Sequence, residues 1–305
     1  MIFLLSPPVN VARILAFVSA ISIGLLSSSY AIAEPWQHRI SAFADRADGD
    51  SEDETSTKLS LQPRFGAELE GERILERESG RRLTYGYTLS TESYPEDHDQ
   101  DRLRAAVRAE FLSPLRYGIL RQIRIGTEIT GAWSTSDLVF RRARFTISAK
   151  LEPKKGHTLQ VRIRTGYRDH NDSILPGFDQ SELLLDVMHL WGAMDKSLRT
   201  TTIAYYDIRD ADYERFSYLE GGIRLIVRQA LNENIDLAYG ISAHLRNYKD
   251  GGRRDKYLRL YAGPKWEVSP GTFVEGWVGV QRNVSTFSSK DYGGGIVGIS
   301  VSREF

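Results

Sequence analysis

The sequence contains no cysteine among its 305 residues, and neither charge sign is in excess, because 40 basic side chains balance 40 acidic ones. The lack of cysteine excludes disulfide scaffolds and cysteine-ligated zinc or iron–sulfur sites. The lack of a basic excess argues against a nucleic-acid partner. One long apolar run is present, near the N-terminus, so a helical membrane protein does not fit. A transmembrane β-barrel remains compatible, because its strands alternate apolar and polar residues.

The apolar run extends from Ile14 to Leu26, follows Arg13, and is succeeded by three serines and then Ala31-Ile32-Ala33. This pattern predicts a secretory signal peptide over residues 1–33, cleaved before Glu34. The alternative is an uncleaved membrane anchor, for which the run is short. Residues 34–305 contain no linker or low-complexity tract, and we expect them to form one domain that works outside the cytoplasm.

The rest of the chain alternates apolar and polar residues with period two, which is the periodicity of strands. The face formed by Leu59, Leu61, Pro63, Phe65, Ala67 and Leu69 is one example. The predicted strands are 37–47, 57–70, 81–93, 101–113, 117–133, 138–152, 157–169, 180–193, 198–209, 214–230, 234–248, 255–268, 272–285 and 291–305. We therefore predict an all-β fold, a closed antiparallel up-and-down transmembrane β-barrel of about 14 strands. Twelve strands are the alternative, because the first strand alternates poorly and the eighth contains three consecutive leucines at 183–185.

The connections between these strands fall into two sets that alternate along the chain. Short turns occur at 153–156, 194–197, 232–234 and 269–272, whereas longer loops occur at 48–56, 94–101, 170–179, 249–254 and 286–290. Outer-membrane barrels have short periplasmic turns and longer extracellular loops. This predicts the outer membrane of a Gram-negative bacterium, with its lipid and lipopolysaccharide as partners. None of these loops is long enough for a large constriction or plug.

The chain ends in Phe305, and counting back by twos gives Arg303, Val301, Ile299 and Val297. This segment resembles the C-terminal strand signature of outer-membrane β-barrels, in which the final aromatic residue is recognised by the barrel-assembly machinery. The resemblance implies an assembly signal formed by Val297, Ile299, Val301 and Phe305. A soluble sandwich that ends in phenylalanine is the alternative. It is disfavoured because a dry core would not tolerate the many arginines on the polar faces.

A wider resemblance covers residues 212–305. Its motifs are Asp212-Tyr213-Glu214-Arg215, Arg246-Asn247-Tyr248, Arg253-Arg254-Asp255-Lys256, Arg282-Asn283-Val284-Ser285 and Asp291-Tyr292. This region resembles the C-terminal barrel of surface lipoprotein assembly modifiers, which implies a fourteen-stranded barrel that helps to deliver lipoproteins or other cargo to the cell surface. That family carries an N-terminal helical-repeat domain, and we expect none here, because the first predicted strand closely follows Glu34.

If the apolar faces contact lipid, the opposite faces line the lumen and are rich in basic residues. The predicted lumen-lining residues are Arg64, Arg104, Arg108, Arg124, Arg142, Arg144, Arg162, Arg164, Arg224, Arg228, Arg246, Arg259 and Lys265. We expect the compensating acidic residues in the loops, at residues 48–54 and 96–101. An arginine-lined lumen suits anions. The open alternative is that these arginines pair with acidic residues on adjacent strands, with Glu110, Glu128 and Glu267 as partners.

The primary functional hypothesis is transport or translocation across the outer membrane, as in the resembling assembly modifiers, with an anionic solute or a translocated protein as the partner. An anion-selective porin for acidic oligosaccharides or other small anions is the alternative. A structural or adhesive barrel is the second alternative.

An enzyme is not predicted. The candidates are Ser242 with His244, on one face of a strand, and Ser173 near His170 and Asp172, in a loop. Residues two apart on a strand lie roughly 7 Å apart, which is longer than a direct hydrogen bond, and Ser242 and His244 are predicted to face the lumen rather than lipid. The scattered histidines predict no metal site, and no cofactor is expected. Aromatic residues near strand ends are typical of membrane interfaces, namely Trp133, Tyr167, Tyr206, Trp266 and Tyr292. Trp277 is predicted to face the lumen.

Overall fold

The computed structural model describes residues 32–305 except 49–60, 78, 97, 135–136, 172, 175, 193–196 and 251. Most of the predicted signal peptide lies outside the described residues, as do acidic residues 50–54, Asp97 and Asp172. The cleavage before Glu34 therefore stays a prediction. Among the described residues, no helix is long and apolar enough to cross a membrane.

The described chain is dominated by strands. A two-residue strand, β1, comes first, and fourteen longer strands follow. Their bounds are β1 Ile32–Ala33, β2 Gln37–Asp48, β3 Leu61–Glu76, β4 Arg82–Ser93, β5 Arg102–Tyr117, β6 Leu120–Ser134, β7 Asp137–Lys154, β8 His157–His170, β9 Gln180–Gly192, β10 Leu198–Ala211, β11 Tyr218–Ala230, β12 Ile235–Tyr248, β13 Arg254–Ser269, β14 Thr272–Ser285 and β15 Tyr292–Glu304. Three single-turn 3₁₀ helices lie in the loops, at His98–Gln100, Glu214–Phe216 and Ser288–Lys290.

Each strand from β2 to β15 pairs antiparallel with its neighbours in sequence, and β15 pairs with β2 to close the sheet. The closing register runs from Val297 opposite Arg46 to Glu304 opposite Arg39. The short strand β1 precedes β2 and pairs with the last two residues of β3, Leu75 and Glu76. The predicted closed up-and-down barrel is confirmed, with fourteen barrel strands in the described chain rather than twelve.

Three strands differ from the prediction by four or more residues at one end. The second barrel strand, predicted at 57–70, is described over Leu61–Glu76, so it extends further toward the next turn. The fourth barrel strand, predicted at 101–113, is described over Arg102–Tyr117. The tenth was predicted to begin at 214, but Glu214–Phe216 forms a 3₁₀ turn and β11 begins at Tyr218.

The two ends of the barrel differ in their connections. The turn end holds the start of β2, the end of β15 and the connections 77–81, 118–119, 155–156, 193–197, 231–234 and 270–271. The loop end holds 49–60, 94–101, 135–136, 171–179, 212–217, 249–253 and 286–291. In outer-membrane barrels the short turns lie in the periplasm and the longer loops face outward.

The outer surface is apolar and the inner face polar, as the period-two pattern predicts. Tyr167, Tyr206 and Trp266 are exposed on the outer surface. The assignment of Tyr292 to the same surface is wrong, because its register partner is the buried Asn283 and both residues line an internal cavity.

Two tryptophan rings lie close against glycines that have no side chain to obstruct them. Trp133 packs against Gly131, and Trp277, on the inward face of β14, packs against Gly298 of β15. Bulky rings over glycines are a recurrent way to cover exposed backbone in sheets.

Candidate functional site in the barrel lumen

A cavity of about 640 Å³ lies inside the barrel, toward the loop end. Seven of the thirteen predicted lumen residues line it: Arg64, Arg144, Arg162, Arg164, Arg224, Arg246 and Arg259. The other six, which are Arg104, Arg108, Arg124, Arg142, Arg228 and Lys265, occupy inward positions of the same alternation but do not line this cavity.

Most of these arginines are paired with carboxylates inside the barrel. Arg64 contacts Asp45 at 2.8 Å, Arg108 contacts Glu72 at 3.1 Å, Arg124 contacts Glu110 at 3.3 Å and Arg142 contacts Glu128 at 3.2 Å. Arg104 contacts Glu92 at 3.6 Å. Arg162 and Arg164 share the carboxylate of Asp186, at 2.9 and 3.1 Å. The lumen therefore contains both charge signs.

The expectation that the compensating acid lies mainly in the loops is wrong. The carboxylates that pair with arginines inside the barrel are mostly on inward strand positions. They include Asp45, Glu72, Glu92, Glu182, Asp186, Asp207, Glu220 and Asp255. Of the three predicted partners, Glu110 and Glu128 pair with arginines, whereas Glu267 accepts the backbone N–H of Gly271 at 3.3 Å instead. Period-two alternation along β9 to β13 would have identified most of the other carboxylate partners, because it places them on inward positions.

Glu182 joins three strands at the centre of the largest network. Its Oε1 accepts hydrogen bonds from Arg168 Nε at 3.1 Å and from Arg209 Nη1 at 2.7 Å, and its Oε2 accepts one from Arg144 Nη2 at 3.3 Å. Arg168 is fully buried, with 0% of its surface exposed. Arg209 continues the network to Asp207 at 3.0 Å. These contacts fix the side chains of β7 to β10 on one side of the cavity.

A second buried network lies on β10 to β12. Glu220 accepts hydrogen bonds from Tyr205 Oη at 2.7 Å and from Arg246 Nε at 2.6 Å. The Arg246 guanidinium lies over the ring of Tyr218, 4.4 Å from its centroid. His244 Nε2 lies 3.9 Å from the same carboxylate, and its ring stacks on Tyr257.

Ser173 belongs to the loop set that the sequence offers as a candidate for catalysis. Its hydroxyl donates a hydrogen bond to Asn171 Oδ1 at 2.7 Å.

The loop end is narrowed by an apolar cluster that was not predicted. Phe178, in the connection 171–179, stacks on Phe216 with ring centroids 3.6 Å apart. His170 lies between Phe178 and the buried Phe140, with centroid distances of 5.7 and 5.6 Å. Arg168 lies over the Phe140 ring at 4.7 Å. A short loop and inward strand side chains thus fill this side of the barrel mouth. The sequence predicts no loop long enough to do so alone.

A few inward basic residues have no acidic partner in the part of the chain that the structure describes. Arg224, Arg228 and Arg259 make no ion pair or hydrogen bond there, and Nε of Arg259 is buried without a hydrogen-bond acceptor. Lys265 lies over the ring of Phe273 at 4.4 Å. No group of three or more described His, Asp or Glu side chains is arranged to hold a metal ion.

The closing strand shows the predicted face. Val297, Ile299 and Val301 are exposed on the outer surface of β15, and Phe305 follows with 66% of its surface exposed. Phe305 lies beside His38 of β2, with ring centroids 5.6 Å apart. Recognition of this segment by the assembly machinery stays a prediction.

No protein-family model and no curated protein sequence matches the chain. The fold is similar to that of solved outer-membrane barrels. In vitro-folded OmpT, an outer membrane protein of Vibrio cholerae, aligns with a TM-score of 0.52 at 7% identity, over 92% of this chain and 99% of that one. A bacterial polysaccharide outer membrane secretin aligns with a TM-score of 0.50 at 10% identity, over 88% and 98%. An outer membrane channel from Pseudomonas putida F1 aligns with a TM-score of 0.50 at 9% identity, over 91% and 98%.

At these identities the likeness is one of fold. The chain has the closed fourteen-stranded barrel fold of outer-membrane proteins of Gram-negative bacteria.

Proposed function

We propose that this protein is a transport barrel of the outer membrane that passes small anionic solutes. The observation that supports this most directly is the composition of the lumen cavity. Nine arginines line it, against four carboxylates. The arginines are Arg64, Arg144, Arg162, Arg164, Arg209, Arg224, Arg246, Arg253 and Arg259, and the carboxylates are those of Asp186, Asp207, Glu220 and Asp255.

The excess of positive charge is concentrated where arginines share or lack partners. Asp186 alone compensates both Arg162 and Arg164, while Arg224 and Arg259 have no acidic partner in the described chain. Charges of one sign in a cleft with low-dielectric walls raise the local concentration of the opposite ion. Guanidinium keeps its charge at any working pH, so the attraction for anions persists.

The size of the cavity favours a small solute over a polypeptide. Its volume of about 640 Å³ falls within the roughly 300–1,000 Å³ of small-ligand sites. Ion pairs that join non-adjacent strands, such as Arg144 of β7 with Glu182 of β9, hold side chains inward over the lumen. The similar folds of a polysaccharide secretin and an outer membrane channel are compatible with a transport role.

Solute uptake into proteoliposomes tests the proposal. Galacturonate and galactose are nearly equal in size and differ in charge, so the refolded barrel should admit labelled galacturonate faster than labelled galactose at low ionic strength. Equal rates, or faster entry of galactose, would overturn the proposed anion transport. Empty liposomes set the background leak.

A second candidate is a structural or adhesive barrel. It is favoured by the buried Glu182 network and the cluster of Phe140, Phe178 and Phe216, which together fill one side of the loop end. A role like that of surface lipoprotein assembly modifiers has the support of the sequence motifs in residues 212–305. A folded barrel that admits neither sugar would favour these two roles over solute transport.

A further inference from the structure

Four polar side chains form a row across neighbouring strands on the lumen wall. The register places Arg224 of β11 opposite Ser242 of β12, Ser242 opposite Arg259 of β13, and Arg259 opposite Gln281 of β14. Neighbouring strands lie about 4.8 Å apart, so the backbones of Arg224 and Arg259 are separated by roughly 10 Å with Ser242 between them. Two arginine side chains at this spacing can converge on one small group.

Each of these side chains lacks a hydrogen-bond or ion-pair partner among the residues that the structure describes. Gln281 is 2% exposed, and both its Nε2 and its Oε1 are unpaired, as is the buried Nε of Arg259. Buried polar groups are nearly always hydrogen-bonded, and each exception needs an explanation. A ligand that brings oxygen atoms into the row supplies one, because oxygen accepts from guanidinium, hydroxyl and amide N–H groups alike.

The position of Arg259 is restrained before any ligand arrives. Its guanidinium lies over the ring of Tyr261, 5.4 Å from the centroid, and that ring packs against Gly240 of β12. Tyr257, the preceding inward residue of β13, is stacked on His244. Arg259 is therefore held against the ring of Tyr261, which lowers the entropy lost when it binds a group.

The same row shares its cavity with a second basic surface. Arg224, Ser242 and Arg259 line the same cavity as Arg162 and Arg164. Arg162 and Arg164 share a single carboxylate partner, Asp186. The Nε of Arg164 is also unpaired. A group bound at the row would lie in a region where positive charge is not fully compensated.

We propose that Arg224, Ser242 and Arg259 form a binding site for an oxyanion group, such as a phosphate, sulfate or carboxylate, on the wall of the lumen. The planar fork of each guanidinium matches two oxygens of such a group, and the Ser242 hydroxyl donates between them. Gln281 of β14 lies opposite Arg259 in the register and continues the row beyond it. The inference deepens the proposed function and rests on it for its biological role, although binding itself does not depend on conduction.

Calorimetric titration of the refolded, detergent-solubilised barrel with inorganic phosphate at low ionic strength tests the site. The parent protein should show saturable binding. Arg224→Gln and Arg259→Gln should each raise the Kd at least about tenfold, which corresponds to roughly 1.4 kcal/mol. Arg259→Lys, which keeps the charge but loses the fork, should also weaken binding. Titrations with sulfate, acetate and chloride then separate oxyanion recognition from attraction of any anion.

The matched control is Arg39→Gln, which removes the same charge from the inward face near the turn end, where Arg39 pairs with Glu70 at 2.6 Å. This control should leave the Kd within about twofold. No saturable binding of phosphate, sulfate or acetate, or equal weakening by Arg39→Gln, overturns the site. If Arg259→Gln loses the heat-modifiable gel shift of a folded barrel, the result for Arg224→Gln decides the test, because Arg224 is exposed. A barrel that binds phosphate but transports no galacturonate contradicts the proposed function and leaves the site standing.

Discussion

The backbones of Phe305 and His38 are hydrogen-bonded to each other in both directions. The N–H of Phe305 donates to the carbonyl oxygen of His38 at 2.9 Å, and the N–H of His38 donates to the carbonyl oxygen of Phe305 at 2.8 Å. The last residue of the chain thus extends the seam between β15 and β2, and its ring lies on the outer surface beside His38. Phe305 contributes to barrel closure through its backbone and presents its ring outward, and the two contributions can be separated.

Phe305→Ser removes the ring and keeps both backbone bonds, whereas deletion of Phe305 removes both contributions. If the ring is the assembly signal, both variants should reach the periplasm normally but insert poorly into the outer membrane, as measured by membrane fractionation. Phe305→Ser should still refold in detergent.

Phe287→Ser is the matched control, because Phe287 is another exposed phenylalanine, in the loop between β14 and β15. This control should insert like the parent. Normal insertion of Phe305→Ser would show that the ring is not required.

Removal of the Glu182 carboxylate should strongly destabilise the barrel. Glu182→Gln leaves Arg168, Arg144 and Arg209 without their shared partner, and Arg168 has no exposed surface. Removal of one partner from a buried ion pair typically costs about 3–5 kcal/mol. Urea unfolding in lipid vesicles measures the difference in the free energy of unfolding.

Arg39→Gln is the comparison for that measurement, because Arg39 is 45% exposed and its pair with Glu70 is solvated. Exposed ion pairs contribute about 0–1 kcal/mol. If both variants lose the same small amount, the Glu182 network does not stabilise the barrel as described.

The turn at residues 118–119 depends on backbone conformation at Gly118. Its φ is 54°, in the left-handed region, and a Cβ there would meet no atom within 4 Å. Gly118→Ala should therefore lower the free energy of unfolding by about 1 kcal/mol through backbone strain alone. Gly118→Asn should cost less, because asparagine tolerates this conformation. Equal stability of the alanine variant and the parent in urea would contradict this explanation.

The strand count and the faces of the strands were predictable from the sequence, because period-two alternation is a local property. The two weak strands show where local patterns fail. Leu183, Leu184 and Leu185 are consecutive because Leu184 faces the lumen cavity, so an apolar residue occupies an inward position. In β2, Phe43 is also inward and lies 4.8 Å below the guanidinium of Arg64.

The contents of the lumen were only partly predictable. Alternation assigned the arginines to the inner face, but it does not show which carboxylates they meet. The contact between Arg144 and Glu182 joins strands that are not neighbours, so no register rule gives it. The cluster around Phe178 and Phe216 depends on how two loops fold over the mouth, and loop sequence carries no periodic signal.

The lumen arginines should control ion preference if the cavity belongs to an open passage. Arg124 pairs with Glu110, and Arg164 shares Asp186 with Arg162. Replacing Arg124 and Arg164 with glutamine removes the partner of Glu110, leaves Asp186 paired with Arg162 alone and lowers the positive charge of the lumen. The double variant should keep its heat-modifiable gel shift and show a smaller anion preference in planar bilayers. An unchanged preference would place the selectivity elsewhere in the barrel.

The reversal potential of the parent barrel in a planar bilayer under a potassium chloride gradient tests the central claim most directly. At about 0.1 M salt, where the Debye length is about 10 Å, the sign should be that of a chloride-selective channel. The preference should weaken near 1 M, where the Debye length falls to about 3 Å. A folded barrel that carries no current, or that selects cations at low salt, would contradict the account.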